Sequence, residues 1–244
     1  KEVVAETDEE LMEKYFSGED FTPEEIKKGL RTGIADGSIV PVFCGSAINN
    51  QGITLLMDAV VDYLPSPADT KVIKAKNAGS DDVVELKPSE NEPAAALVFK
   101  TIADPFVGKL SLFRVFSGVV KPDTIVYNST TEKTEKVSQI YMLRGKKQIP
   151  VDKLIAGDIG VVAKMQSANT NDTLCDTSRP VVLDKIVFPE PAITMAIEPK
   201  SKGDEDKIGT GLQKMQDEDP IFKVELNTET RQTLISGVGE QHLE

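Results

Sequence analysis

Lys109-Leu110-Ser111-Leu112-Phe113-Arg114-Val115-Phe116, stopped by Ser117-Gly118, is the stretch whose reading decides the fold. A short, largely apolar run that meets turn residues at once reads as a β-strand. Similar runs lie on either side of it: Ala94–Phe99 before, then Thr124–Tyr127, Glu135–Leu143, Ile159–Lys164 and Val181–Val187 after. Turn residues separate them at Asp104-Pro105, Lys121-Pro122-Asp123, Arg144-Gly145 and Ala156-Gly157-Asp158. Many short strands with regular turns indicate a closed antiparallel β-barrel over residues 92–187. Closure removes sheet edges and leaves the loops free to meet a partner.

Upstream the character is different. Residues 1–68 read as helical with one strand. Val3, Val4, Leu11, Met12, Tyr15 and Phe16 line one face of a first helix. Thr22, Pro23 and Glu25 supply an N-cap, an N1 proline and a capping box for a second, with Phe21 and Ile26 at the staple positions and an end near Asp36-Gly37. The run Ile39-Val40-Pro41-Val42-Phe43 reads as a strand buried on both faces of a parallel sheet. Cys44-Gly45-Ser46-Ala47 then forms a small-residue turn into a helix carrying Ile53, Leu56, Val60, Val61 and Leu64, which stops at Pro65. In open α/β sheets such a turn sits where ligands bind, although a tight turn needs small residues with no ligand at all. Residues 69–91 read as a connector, with Lys71–Lys76 and Val83–Lys87 pairing as a small exposed hairpin.

Downstream, Phe188-Pro189-Glu190-Pro191 reads as a stiff hinge over 188–191. Residues 192–244 follow as strand (Ala192–Ile197), helix (Asp204–Asp217), strand (Ile221–Leu226) and strand (Gln232–Ser236). This β-α-β-β order is most of a ferredoxin-like α+β unit, expected to be incomplete.

Composition narrows the function classes. The chain has 244 residues and a formal net charge of −12, unevenly spread. Residues 1–91 carry 9 Lys and Arg against 18 Asp and Glu, and residues 188–244 carry 6 against 12. Residues 92–187 carry 13 against 10, so only the middle third faces phosphate without net repulsion, and Arg144-Gly145-Lys146-Lys147 is its densest basic cluster. A solvated loop is the bland reading of those four residues. Cys44 and Cys175 lack metal-site or disulfide spacing and read as buried, reduced thiols. One histidine, His242, leaves no material for a histidine metal centre or a local triad. No segment reaches the roughly 18 apolar residues of a membrane span. Lys1 in place of an initiating Met implies residues upstream.

With these stretches laid out, the chain resembles bacterial elongation factor G or one of its paralogues. The resemblance is carried by Thr7–Tyr15, Pro41–Ala47, Asp58–Pro67, Ala103–Leu110, Arg114–Gly118, Ala156–Ile159, Phe188–Lys200, Leu212–Lys214 with Glu218-Asp219-Pro220, and Ser236–Glu240 with His242-Leu243-Glu244. It implies a C-terminal remnant of a Ras-like GTP-binding domain in 1–68, a translation-factor β-barrel (domain II) in 92–187 and part of domain III in 192–244. It further implies a ribosome-dependent GTPase that moves tRNA and mRNA, in the cytoplasm. A non-enzymatic ribosome- or RNA-binding module, and a ribosomal protection or release-factor GTPase, are the alternatives.

The resemblance also assigns roles. Gly45, Ser46 and Ala47 match the guanine-base loop, with the Ala47 N–H approaching the base. Gly237, Gly239, Glu240 and His242 match a domain III motif with a packing or interdomain role. Arg144, Lys146 and Lys147 are the expected ribosome contacts, to ribosomal RNA or ribosomal proteins. GTP or GDP with Mg²⁺ belongs to the intact protein; no Gly-x-x-x-x-Gly-Lys-Ser/Thr occurs here, so neither cofactor nor catalytic residue nor metal site is expected in this chain. No membrane partner is expected, whereas self-association through unpaired strands is. Asn171 stands where the family has Gly, and Asn is the next-best residue for a left-handed turn. Gln241 departs from the family's Leu.

Overall fold

The computed structural model describes residues 1–69, 72–104, 107–199 and 201–244, with the side chains of Lys202, Glu205 and Asp206 left out. Pro105, one arm residue of the hairpin (Lys71) and Lys200 of the Phe188–Lys200 stretch lie outside the described residues, as does Phe106. The chain divides into two units, Lys1–Lys71 and Val72–Glu244.

The first unit is helical. Its expected first helix is two: α1 (Glu2–Ala5) and α2 (Glu9–Phe16). Local capping wins over apolar periodicity at the break. Asp8 turns into extended backbone and its carboxylate accepts from the Glu10 N–H, while the Thr7 hydroxyl donates to the Val4 carbonyl. Val4, Ala5, Leu11 and Phe21 form a small core, and Phe16 is left exposed. α3 (Pro23–Asp36) has the expected capping box: the Glu25 N–H donates to Thr22 Oγ1 and the Thr22 N–H to Glu25 Oε2 at 2.7 Å. Its most buried residues are Gly29 and Gly33, because a Cβ at Gly29 would lie 2.6 Å from Val4 Cγ1 and one at Gly33 2.5 Å from Ile39 Cδ1. α4 (Ile53–Tyr63) completes the unit.

Ile39–Cys44 is not a buried strand. Ile39 lies on α3 at Gly33, and the residues after it run in an irregular path without ladder partners. Val42 is 86% exposed and Cys44 is exposed too, contrary to the buried thiol expected. Apolar composition registers a capacity for burial, and none of the described residues of this unit covers the segment. The same holds for Leu55, Leu56, Met57, Val60, Val61 and Leu64, on and just after α4, all exposed.

The second unit holds sixteen short strands among its described residues. β1 (Ile73–Asn77) and β2 (Val83–Leu86) form the expected hairpin, but it is not merely exposed: Ala75 and Leu86 are buried. The barrel strands are β3 (Ala95–Asp104), β4 (Gly108–Ser117), β5 (Val119–Val120), β6 (Ile125–Asn128), β7 (Lys133–Lys136), β8 (Ile140–Arg144), β9 (Lys147–Val151), β10 (Leu154–Ile155), β11 (Ile159–Ala163) and β12 (Thr173–Cys175). The single strand expected at Glu135–Leu143 is thus divided between β7 and β8. Eight of them make one antiparallel sheet in the order β7-β6-β12-β3-β4-β11-β8-β9, with β5 and β10 paired separately. The sheet curls around one core built from Val98, Phe113, Val115, Val126, Ile140, Leu154 and Val162. β13 (Val181–Leu183) leaves the barrel sheet and pairs with β1.

Beyond an irregular segment at 184–192, β14 (Ile193–Ile197), α5 (Glu205–Glu218), β15 (Lys223–Leu226) and β16 (Thr233–Gly237) give the β-α-β-β unit, with sheet order β14-β16-β15. A short helix, α6 (Glu240–Leu243), follows. β3 overhangs β12, which pairs only with Ala95–Leu97, and α5 covers the overhang: Thr101 Oγ1 donates to the Asp217 carbonyl and the Ala103 N–H donates to the Glu218 carboxylate.

Asn171 adopts φ +76°, as a residue replacing Gly in a left-handed turn must. It adds what Gly lacks: its side-chain amide donates to the Ile186 carbonyl at 2.9 Å and accepts from the Ile186 N–H at 2.8 Å, fixing the exit from the barrel.

Gly118 and Gly79 both have positive φ, but a Cβ at Gly118 would lie 2.5 Å from the Glu92 carbonyl oxygen, whereas nothing approaches Gly79. Gly79→Ala should therefore cost only the left-handed penalty, about 1–2 kcal/mol. Gly118→Ala should cost roughly 3 kcal/mol or more, because backbone must move as well. Urea midpoints of the two variants, followed by the barrel's circular dichroism, check the order.

Candidate functional site

Three groups of residues were marked by the sequence, and the structure places each in a distinct local setting. Gly45-Ser46-Ala47 opens a closed loop in the first unit. The Ser46 N–H donates to the Gln51 carbonyl and the Gln51 N–H to the Ser46 carbonyl, both at 3.0 Å, while the Asn50 N–H donates to the Ala47 carbonyl. The small residues are required by the loop itself. A Cβ on Gly45 would lie 3.0 Å from the Gln51 oxygen, and Gly52, at φ +74°, closes against the Cys44 carbonyl. The Ala47 N–H makes no hydrogen bond among the described residues and Ala47 is exposed, so one backbone donor stays available.

Arg144, Lys146 and Lys147 crown the β8–β9 hairpin. Arg144 and Lys147 are the last ladder pair, and Gly145-Lys146 is a two-residue turn with positive φ only at Gly145, the geometry of a II′ turn. All three cations are exposed, and none has a salt-bridge partner among the described residues. A rigid hairpin thus holds three uncompensated charges in water.

The third group is a packed turn within the β-α-β-β unit. The Val238 N–H donates to His242 Nδ1 at 3.1 Å, which makes Nδ1 the acceptor and leaves Nε2 to donate to Asp219 Oδ2 at 2.7 Å. The ring also meets Phe222 edge to face, with centroids 6.4 Å apart. Gly237 has no room for a side chain, since its Cβ would lie 2.5 Å from His242 Nδ1. Gly239 stands at the N-cap of α6 and Glu240 in its first turn. His242 therefore ties β16 and α6 to the loop after α5, in the same unit. Burial of Asp219 raises its pKa, but hydrogen bonds from the Ile221 N–H and from His242 outweigh that and hold it below the ordinary carboxylate value.

Sequence reading missed a polar cluster beneath the barrel surface. Asn128, fully buried, donates to Asp172 Oδ2 at 2.9 Å and to the Ser167 carbonyl at 3.2 Å, and its Oδ1 accepts from the Thr130 and Thr131 N–H groups. The only signal was the polar run Asn169–Thr173, which reads as an ordinary turn. Cys175 is buried, and that burial pushes its thiol pKa up. Among the described residues no cluster of His, Cys, Asp and Glu is placed to hold a metal ion. No helix among them is long and apolar enough to cross a membrane.

Comparison with known proteins adds the family. Residues 93–177 match the model of elongation factor G domain 2, and residues 188–244 match that of elongation factor G domain III. A crystal structure of a protein from Thermus thermophilus superimposes with a TM-score of 0.80 at 29% identity, covering 99% of this chain and 34% of that one. The chain spans about a third of the length of that protein.

Removing His242 should loosen this turn. His242→Ala is expected to lower stability by about 1–2 kcal/mol, read from thermal melts. Asp219 has a folded-state pKa below its unfolded one, so its contribution is complete above the unfolded value, near 4, and is lost as pH falls through the folded value. The melting advantage of wild type over Asp219→Asn should accordingly be flat near neutrality and vanish in acid. An advantage that persists below the carboxylate range would contradict the assignment.

Proposed function

Because the chain belongs to the elongation factor G family, with domain 2 followed directly by domain III, we propose that it serves within a ribosome-dependent translational GTPase that promotes movement of tRNA and mRNA. The carrying observation is that consecutive order, over a fold shared along nearly the whole chain with a solved protein about three times as long.

In this reading the three sites divide the work. The hairpin tip Arg144, Lys146 and Lys147 meets ribosomal RNA or ribosomal protein, where uncompensated cations on a rigid turn attract phosphate without first breaking an ion pair. Gly45, Ser46 and Ala47 contribute the free Ala47 N–H to the guanine base of GTP or GDP. The remaining base contacts, the phosphate cradle and Mg²⁺ belong to other parts of the whole protein, since these 244 residues hold no phosphate-binding loop. The exposed apolar side chains at 40–43 and on α4 fit a surface that packs against the rest of a nucleotide-binding domain. Self-association of the chain would run through this same apolar surface and not through unpaired strands. His242, Gly237, Gly239 and Glu240 keep domain III rigid, so that it moves as a body about residues 188–191. The site of action is the cytoplasm.

Co-sedimentation with ribosomes tests the reading. The chain should pellet with ribosomes in low salt, and Arg144→Glu with Lys146→Glu and Lys147→Glu should abolish most of that binding while leaving the melting temperature unchanged. Equal pelleting of the triple variant would reject the hairpin as the contact, and no pelleting of wild type would reject ribosome binding by this chain.

A further inference from the structure

The β8–β9 hairpin peels away from the barrel before its tip. Its ladder to β11 ends at Tyr141 opposite Val161, although β8 runs on to Arg144 and β11 reaches back to Ile159. Leu143 and Ile159 would be a pair of that register, and the ladder does not join them. A wedge of about 380 Å³ opens there, within the range of about 300–1,000 Å³ common for ligand sites. Leu112, half-buried, and Val161, buried, line it together with Met142, Leu143 and Ile159, all three exposed. A hairpin tip in water needs no ladder, which accounts for the splay. It does not account for three apolar side chains around one opening.

The wedge also exposes strand backbone. Pro150, opposite Tyr141 on β9, has no N–H to give, so Tyr141 turns its backbone groups toward Val161. Alternate residues of a strand turn the same way, so Leu143 of β8 and Ile159 of β11 direct their own groups into the wedge. Neither has a ladder partner on that side.

Cations border it. Arg114 stands opposite Ile159 on β4, exposed and lying over the Phe116 ring at 5.5 Å from its centroid. Arg144, Lys146 and Lys147 follow Leu143 at the hairpin tip. None of the four has a salt-bridge partner among the described residues. The charged lining residue, Asp158, is already engaged: its carboxylate accepts from the Ile155 N–H at 2.9 Å.

These features select among occupants. Single-stranded RNA is read by stacking on aromatic rings and by hydrogen bonds to base edges, and the lining offers no ring and no free polar side chain. Unpaired strand backbone suits an extended peptide, and an apolar pocket suits one anchoring side chain. A rim of uncompensated cations suits acidic neighbours on that peptide.

We propose that the wedge docks an extended acidic segment of a partner protein. One large apolar side chain sits between β8 and β11, the segment's main chain bonds to Leu143 or Ile159, and its carboxylates face Arg114 and the hairpin cations. The inference rests on the reading of the hairpin tip as a contact surface, and it chooses protein over RNA as what the tip meets.

A labelled nonapeptide, one central leucine flanked by Asp and Glu, is the probe. Its fluorescence anisotropy should saturate on the intact chain, about tenfold tighter than that of the same peptide with a central alanine. Exchanging its acids for Asn and Gln should weaken binding and remove its salt dependence. Ile159→Trp, which fills the wedge from an exposed position, should weaken binding at least about tenfold. Leu143→Ser with Ile159→Ser, which strips its sides, should do the same, and both variants should melt as wild type. No saturation below about 1 mM, equal affinity of the leucine and alanine peptides, or wild-type binding by Ile159→Trp would each overturn the proposal. A short oligouridylate bound tighter than the peptide, and lost from Ile159→Trp, would give the wedge to RNA and overturn it too. Ribosome pelleting that depends on the hairpin charges while the peptide stays unbound is the mark of failure here with the reading above intact. Peptide binding without ribosome pelleting would uphold the wedge and remove the ribosome.

Discussion

The buried amide of Asn128 is the contact that ties the β6–β7 turn of the barrel to the loop after β11. It sits at the end of β6, fully buried, and uses both ends of its side chain: the nitrogen on Asp172 and the Ser167 carbonyl, the oxygen on two backbone donors of the following turn. Four groups that would otherwise need water are satisfied at once. In a low-dielectric setting such a group is worth keeping whole, because removing one member leaves the others buried and unpaired. Leu would fill the volume and leave the Ser167 carbonyl and the Thr130 and Thr131 N–H groups without their side-chain partner. That asymmetry explains a polar residue on a strand whose neighbours Val126 and Leu174 belong to the core.

A second constraint acts at sheet edges. β3 is longer than the β12 strand beside it, so its far end has backbone donors with no strand to receive them. The barrel does not cover this end itself. The C-terminal turn of α5 does: the Glu218 carboxylate accepts from the Ala103 N–H, and the Asp217 carbonyl accepts from the Thr101 hydroxyl. The contact is polar and small, in keeping with an interdomain surface that separates more readily than a core. Asn171 acts from the other side, holding Ile186 as the chain leaves the barrel. The segment 184–192 is thus anchored where it leaves the barrel, and again by the bond from the Ala192 N–H to the Gly237 carbonyl.

The parts of this architecture legible in the sequence were those set by local chemistry. The capping box at Thr22–Glu25, the left-handed Asn171 and the strand–turn rhythm around Lys109–Phe116 all depend on neighbours within a few residues. The elements misread depend on what lies across space. Ile39–Cys44 has the composition of a buried strand, yet only Ile39 meets α3, at Gly33, and the remainder is exposed. Thr173-Leu174-Cys175 is too short and too polar at its start to announce a strand, but it is fully enclosed because it runs between β3 and β6. α1 and α2 share one apolar stripe that periodicity joined and Asp8 divided.

The candidate sites follow the same rule, and it explains why the motif residues and the polar cluster around Asn128 differ in visibility. Gly45, Gly237 and His242 are demanded by contacts inside their own turns, so a motif can carry them as a block of adjacent letters. The cluster joins Asn128 to Ser167 and Asp172, and Glu135 to Ser167, pairs separated by 32 to 44 residues and brought together only by the register of β6, β7 and β12. No spacing rule links such residues. What links them is a buried amide, and the amide itself is a single polar letter in a run of strand residues. A juxtaposition made by the fold is therefore readable only after the fold has placed Asn128.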